Sequence, residues 1–368
     1  MLDYFKKVIL MSKKIYKNAL IDGKITDITV EDGKIVSLEK QNGEGIDLKG
    51  KKTFAGLIDI HTHGCLGCSA TGNSVQELEK ICIYEAENGI TAFYPTTVTE
   101  SKEKMLAAVS REIKGLKGAQ ILGFHMEGPY ISPERPGALN PDHICKPDFE
   151  EFKQYPNVKI VTVAPEVEGA VDFIKNCDAM VCLGHSVGDY DSACAAADVG
   201  AKCLTHTFNA MPPLLHRDPA LIGAALDKDM YAQVISDGIH IHPSAVRALY
   251  KMFGKDRMVI ISDSVEVTGL EDGEYPFGGI QVILKDGIVR TKDSGALAGS
   301  TSNLLDCVKC AISFGIPEKD AFEMASKTPA ELMGLNKGKI EVGYDADFIT
   351  VDNDYNICNV VIDGELFK

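Results

Sequence analysis

The sequence predicts an α/β protein in which a (β/α)₈ TIM-like barrel carries a small β-sandwich lobe formed by both chain termini. Apolar runs alternate with helix-length segments through the middle of the chain, which is typical of such a barrel. Both ends have a strand-and-turn texture instead. We therefore assign residues 1–53 and 338–368 to the lobe and residues 54–337 to the barrel.

The N-terminal part of the lobe consists of short alternating strands separated by turn-forming pairs. Asp22-Gly23, Asp32-Gly33 and Asn42-Gly43 mark these turns. The stretch from Gly338 repeats the texture, so the two ends are expected to pair with each other. The apolar run within residues 1–10 is too short for a signal peptide. Because Met11 is an alternative start, the question of whether residues 1–10 belong to the native protein stays open.

Eight apolar runs are the candidate barrel strands. Helical periodicity follows the first run, with Ser74 as the expected N-cap and Leu78, Ile81 and Cys82 on the buried face. A hairpin-like insertion at 279–289 follows the eighth run, and the next helix is expected to begin near Ser300. The runs are Leu57–Ile60, Thr91–Tyr94, Ile121–Phe124, Val158–Val163, Met180–Leu183, Lys202–Leu204, Ala232–Ile235 and Met258–Ile261.

Composition and charge exclude two classes of partner. The formal net charge is −15 and Lys and Arg are not clustered, which argues against nucleic acid. No segment approaches the roughly 18 apolar residues of a membrane helix. Eleven scattered cysteines, mostly inside apolar runs, indicate reduced thiols and hence the cytoplasm.

Polar residues at the ends of the apolar runs predict a metal centre. His61 and His63 are two residues apart at a strand end, so both rings point to the same side. In a barrel of this kind chemistry lies at the carboxyl ends of the strands, where these residues converge. Imidazole and carboxylate ligands suit zinc or iron, and one or two divalent ions are expected. The candidate residues are His61, His63, Glu127, His185, His206 and Asp263.

Each candidate also has an ordinary structural explanation when it is considered alone. A histidine can be a satisfied core residue, and Asp263 can cap a helix. The joint placement of all six at strand ends favours the metal centre. Cys65 and Cys68, which follow the His-x-His pair, form an ambiguous redox or metal signal that we interpret as two reduced thiols.

Several segments resemble a known family. The chain resembles the amidohydrolase superfamily and, within it, the N-acetylglucosamine-6-phosphate deacetylases. The resemblance spans almost the whole chain, and the Glu-Gly-Pro and Phe-Asn-Ala-Met motifs are its more specific parts. The segments that carry it are Gly56–Gly64, His125–Pro129, Phe208–Met211, Asp237–His240, Leu297–Ser300 and Gly343–Phe348.

The resemblance implies roles for the metal-centre residues. Glu127, His185 and His206 match the ligands of the principal metal. His61 and His63 are intact here although some relatives replace them, so a second ion is chemically possible. Asp263 is implied as the general base and then the general acid, and catalytic His240 as a hydrogen-bond donor to the reacting carbonyl oxygen.

The resemblance also implies a phosphosugar substrate. Members of the family cleave the acetamide of an N-acetyl amino-sugar 6-phosphate and release acetate. His240, Asn209, Ala210 and Ala138 match substrate-binding positions, and Arg217 matches a phosphate-binding arginine that a neighbouring subunit contributes. A homodimer with Arg217 across the interface is therefore expected.

One position departs from the family pattern. Leu139 stands where relatives usually have a polar residue, often His, so the preferred sugar epimer stays open. His143, four residues later, is a possible substitute. Two further alternatives are another amidohydrolase reaction, such as deamination or hydrolysis of a cyclic amide or a different N-acyl amino sugar, and a non-catalytic sugar-phosphate sensor.

Overall fold

A computed structural model describes residues 13–368 of the chain. The question of whether residues 1–10 are native and ordered therefore lies outside the described residues. Within the described range, no helix is both long enough and apolar enough to cross a membrane.

Eight parallel strands form the central barrel, and each pairs with its neighbours in chain order, as predicted. The third strand begins at Phe124 rather than Ile121, because Gly123 adopts a φ of 141° that breaks the run and leaves Gln120–Ile121 as a separate short strand. The first strand extends past Ile60 and contains His61. The barrel strands are Leu57–Thr62, Ile90–Thr97, Phe124–Glu127, Val158–Val163, Met180–Leu183, Cys203–Leu204, Tyr231–Ile235 and Met258–Ile261.

The first and eighth strands are joined by backbone hydrogen bonds at their carboxyl ends. The amide of Asp263 donates to the carbonyl of His61 at 2.9 Å, and the amide of His63 donates to the carbonyl of Ser264 at 2.6 Å. These bonds close the barrel beside three predicted site residues. Closure of the fold thus fixes their relative positions.

Helices cover the outside of the barrel. Ser74 caps the first helix as predicted, since its side chain accepts the amide hydrogen of Glu77. The buried face of that helix includes Leu78, Ile81 and Cys82. The helices are Val75–Glu87, Lys102–Val109, Phe149–Phe152, Ala170–Asn176, Tyr190–Asp198, Ala220–Asp227, Pro243–Phe253, Leu304–Ser313, Glu318–Met324 and Lys327–Leu332, with a 3₁₀ turn at Pro141–His143.

Strands from both ends of the chain form one hydrogen-bonded sheet, as expected for the lobe. Phe348–Val351 pairs antiparallel with Lys52–Ala55. Tyr16 and Phe348 are fully buried in its core, with ring centroids 5.0 Å apart. The exact division at residues 53 and 338 stays a prediction. The strands are Lys14–Ile21, Lys24–Glu31, Lys34–Ser37, Ile46–Asp47, Lys52–Ala55, Phe348–Val351, Ile357–Ile362 and Glu365–Leu366.

Two smaller sheets lie at the barrel mouth. The predicted hairpin insertion forms two strands of a three-stranded antiparallel sheet. The residues before the insertion add the third strand. The following helix is capped by Asn303 rather than near Ser300, since the Asn303 side chain accepts the amide hydrogen of Asp306. The strands are Gly273–Phe277, Ile280–Lys285 and Ile288–Thr291, with a tight hairpin of Gly64–Cys65 and Cys68–Ser69.

Candidate metal centre

Glu127, His185 and His206 come together from the ends of three different strands. Glu127 is the last residue of its strand, whereas each histidine lies two residues beyond its own. The Nε2 atoms of His185 and His206 lie 3.2 and 2.9 Å from Glu127 Oε1 and 3.0 Å from each other. The three side chains therefore present ligand atoms to a common point.

His61 and His63 form a second cluster with the same glutamate. Their Nε2 atoms are 3.3 Å apart, His61 Nε2 is 3.3 Å from Glu127 Oε1, and His63 Nε2 is 3.2 Å from Oε2. Asp263 Oδ1 lies 3.4 and 3.3 Å from the same two nitrogens. Glu127 thus uses both carboxylate oxygens and belongs to both clusters.

Hydrogen bonds to the outer ring nitrogens give three histidines the form that binds a metal. The Nδ1 atoms of His185 and His63 donate to the backbone carbonyls of Arg135 and Thr96, at 2.9 and 3.0 Å. His61 Nδ1 lies 3.0 Å from the side-chain oxygen of Gln233. An acceptor at Nδ1 keeps the proton there and leaves the Nε2 lone pair facing the cluster. The donor set therefore fits a divalent cation.

The charges within the centre also favour a cation. Burial lowers the pKa of His61, but the carboxylates of Glu127 and Asp263 outweigh it and raise that pKa to about 9. For Glu127 burial raises the pKa, yet His61 and His185 hold it well below its usual range. The site is thus a buried anionic centre that favours positive charge.

A cavity of about 450 Å³ opens directly onto this centre. Four of the five substrate-binding residues that the resemblance implies line it, all except Arg217. Leu139 also lines it, as does Arg135, an exposed residue that the sequence did not indicate. The structure therefore brings most of the candidate residues to one opening. The candidate residues in the lining are His63, Glu127, Ala138, His185, His206, Asn209, Ala210, His240 and Asp263.

Two candidate residues lie elsewhere. Arg217 is exposed, its guanidinium is 2.9 Å from the ring of His216, and it does not line the cavity of its own chain. His143 lies 3.5 Å from Glu100 and also outside the cavity lining, so it does not substitute for a polar residue at Leu139.

Cys65 and Cys68 face each other across the tight hairpin as free thiols. Burial raises the pKa of both thiols, which keeps them protonated and poorly reactive. Their interpretation as reduced thiols agrees with the structure.

Three site residues adopt a backbone conformation that non-glycine residues rarely use. The φ angles of His185, His206 and Asp263 are 47°, 27° and 49°. Such left-handed residues cost about 1–3 kcal/mol each and are concentrated at functional sites. The chain turns sharply after each strand, and this turn directs the side chain into the barrel mouth.

Supporting residues of the centre were missed by the sequence analysis. Gln233 is fully buried in an apolar strand and contacts both His61 and the amide of His206. A polar amide inside an apolar run was the available signal. The carbonyl groups of Thr96 and Arg135 gave no such signal, because every residue has one.

The fold and the centre define the class of protein. Residues 53–367, which are most of the chain, match the sequence model of the amidohydrolase family. The chain is therefore an enzyme of the metal-dependent amidohydrolase class.

Individual relatives give the narrower assignment. The chain is 38% identical to N-acetylglucosamine-6-phosphate deacetylase of Vibrio furnissii, over 84% of this chain and 82% of the relative. It is 34% identical to N-acetylgalactosamine-6-phosphate deacetylase of Escherichia coli O157:H7, over 84% and 86%. A mutant N-acetyl-D-glucosamine-6-phosphate deacetylase of Mycobacterium smegmatis, in complex with N-acetyl-D-glucosamine-6-phosphate, superposes with a TM-score of 0.89 at 27% identity, covering 97% and 99% of the chains. The chain belongs to the N-acetylglucosamine-6-phosphate deacetylase family.

The shared position of Glu127 predicts a difference between two variants. Glu127→Gln removes the charge that both clusters use, so metal affinity is expected to fall by more than about 100-fold, beyond the usual effect of supporting residues. His63→Gln leaves Glu127, His185 and His206 intact and is expected to retain more metal. Metal content after equilibrium dialysis measures both. Equal retention by the two variants would contradict the shared role of Glu127.

Proposed function

We propose that this enzyme hydrolyses the acetamide bond of N-acetylglucosamine 6-phosphate to give glucosamine 6-phosphate and acetate. The observation that carries the proposal is the Glu127-centred cluster at the floor of a sugar-sized cavity, in a chain whose relatives are named for this reaction. The M. smegmatis relative is named as a complex with that sugar phosphate, which supports the same substrate.

Glu127, His185 and His206 would hold the principal ion, and His61 and His63 a second one, with zinc or iron as the metal. A divalent cation held there would lower the pKa of water toward about 7 and would polarise the acetyl carbonyl. The carboxylate of Asp263 lines the cavity, with Oδ1 3.4 Å from His61 Nε2, and accepts the proton of the attacking water.

The same carboxylate completes the reaction. When the carbon–nitrogen bond breaks, Asp263 returns its proton to the departing nitrogen, so that the sugar leaves as a neutral amine. His240 lines the cavity and donates a hydrogen bond to the carbonyl oxygen, where negative charge develops. Both side chains thus act most strongly in the transition state.

Substrate binding uses both subunits of a homodimer in this proposal. Asn209, Ala210 and Ala138 line the cavity and would contact the sugar. Arg217 is exposed on a loop together with Leu215, which is 51% exposed, and that loop is suited to reach a neighbouring subunit. Its guanidinium would bind the 6-phosphate. We also propose the cytoplasm as the location, since all eleven cysteines are free thiols.

The galacto epimer is a second candidate substrate. The E. coli relative is named for N-acetylgalactosamine 6-phosphate and is 34% identical. Leu139, buried at the cavity edge, cannot hydrogen-bond a sugar hydroxyl and so does not favour one epimer by polar contact.

Acetate release from a panel of sugars tests the reaction. We expect the zinc-loaded enzyme to release acetate from N-acetylglucosamine 6-phosphate, and at least about 10-fold less efficiently from unphosphorylated N-acetylglucosamine, which lacks the charge-assisted contacts. The galacto and manno isomers rank epimer preference. Absence of acetate from every sugar would overturn the proposed function.

Asp263→Asn separates proton transfer from metal binding. An amide cannot accept the proton, so kcat is expected to fall by about 10²–10⁴-fold. Bound metal is expected to stay near the wild-type amount because the five other residues remain. Elemental analysis and acetate assays give the two values, and wild-type turnover would refute the role.

Arg217→Ala tests both phosphate binding and the shared site. Loss of charge-assisted hydrogen bonds is expected to raise KM by about 10- to 100-fold with a small change in kcat. Arg247, exposed and bonded to the carbonyl of Phe314, provides the matched control Arg247→Ala, whose KM should not change. Mixing Arg217→Ala with Asp263→Asn subunits should restore low-KM sites, since each mixed dimer would contain one intact pair. No restoration would exclude the arrangement across the interface.

A further inference from the structure

We infer that Asp237 is a positioning residue that locks the ring of His240 and requires it to act as an imidazolium. This inference rests on the proposed function, because His240 is the residue assigned to the carbonyl oxygen of the substrate. Asp237 is then a second side chain that acts in the reaction, and His240 must carry a positive charge.

Both oxygens of the Asp237 carboxylate make hydrogen bonds. Asp237 Oδ1 accepts the backbone amide hydrogens of Ile239 and His240, both at 2.9 Å. Its other oxygen, Oδ2, lies 2.7 Å from His240 Nδ1. Both side chains are buried, with 1% and 4% of their surfaces exposed. Each carboxylate oxygen therefore has a separate and fixed function.

An ionised carboxylate only accepts hydrogen bonds, so the proton of this contact belongs to His240 Nδ1. The other ring nitrogen, Nε2, has no hydrogen-bond partner among residues 13–368, and the ring lines the cavity. In a neutral ring with its proton on Nδ1, Nε2 has only a lone pair. Nε2 can therefore donate to a carbonyl oxygen only when the ring carries two protons.

The surroundings favour that charged form. Burial lowers the pKa of His240, but the hydrogen bond and charge of Asp237 outweigh it, Asp263 adds to them, and the pKa is raised despite Arg290. The neighbouring helix contributes two cysteines. Cys310 Sγ lies 3.9 Å from the backbone carbonyl of Asp237, and burial raises the pKa of Cys307 and Cys310, which stay neutral.

Asp237→Asn tests this inference, because the backbone amides of Ile239 and His240 determine which atom of the Asn side chain faces the His240 ring. The amides of Ile239 and His240 need an acceptor, so the Asn oxygen stays with them and the NH₂ group faces Nδ1. The neutral ring then carries its proton on Nε2 and donates without being charged.

The expected result is a change in pH dependence. In the wild type, kcat/KM falls as pH rises through the raised pKa of His240, because Nε2 loses its proton. In Asp237→Asn that alkaline limb is absent, and kcat is lower by about 10- to 100-fold, with a smaller change in KM. Asp189→Asn, which alters a helix-capping carboxylate far along the chain, is the control and should keep the wild-type profile. An unchanged alkaline limb in Asp237→Asn would overturn the inference.

Nitrogen NMR of the zinc-loaded, full-length protein gives a readout that does not depend on turnover. The His240 signals, assigned by their loss in His240→Gln, should show both nitrogens protonated below the alkaline limb and only Nδ1 protonated above it. A neutral wild-type ring with its proton on Nε2 would overturn the inference even if Asp237→Asn does not fold. Failure of acetate release in the wild type would instead overturn the proposed function alone.

Discussion

The burial of the Glu127 carboxylate is the constraint on which the rest of the centre depends. This side chain is 4% exposed and is surrounded by four imidazoles. A buried charge costs several kcal/mol unless it is paired, so the carboxylate requires positive charge beside it. Protonated imidazoles supply part of that charge, since the pKa of His61 is raised to about 9, whereas imidazoles with their lone pairs inward are neutral and do not. A divalent cation does, and the clusters on both sides of Glu127 are arranged to hold it.

The barrel keeps this unfavourable arrangement in place. Ligand atoms arrive from separate strands, and hydrogen bonds at Thr96, Gln233 and Arg135 fix the rings from outside. The left-handed turns at His185 and His206 add backbone strain that only a tightly packed surrounding can maintain. Packing energy from the large core thereby offsets the cost of assembling like-charged and strained groups.

The sequence predicted the barrel and the residues at its mouth, because apolar periodicity and the position of a polar residue after a strand are local properties. It did not predict where the third strand begins, since the conformation of Gly123 depends on its neighbours in space. Of the supporting contacts, Gln233 was detectable as a buried amide, whereas the carbonyl of Arg135 was not. Asp237 and His240 are three residues apart in the sequence, but the hydrogen bond between them depends on their side-chain rotamers, which the spacing does not give.

The lobe imposes an order on biosynthesis. Strand Lys52–Ala55 pairs with Phe348–Val351, and residue 348 is translated about 290 residues after residue 55, which takes about 15–60 s at ribosomal speed. During that interval the emerging N-terminal strands lack their final neighbour and present an open edge. The barrel is complete in sequence before the lobe is, so that edge stays unpaired until strand Phe348–Val351 leaves the ribosome.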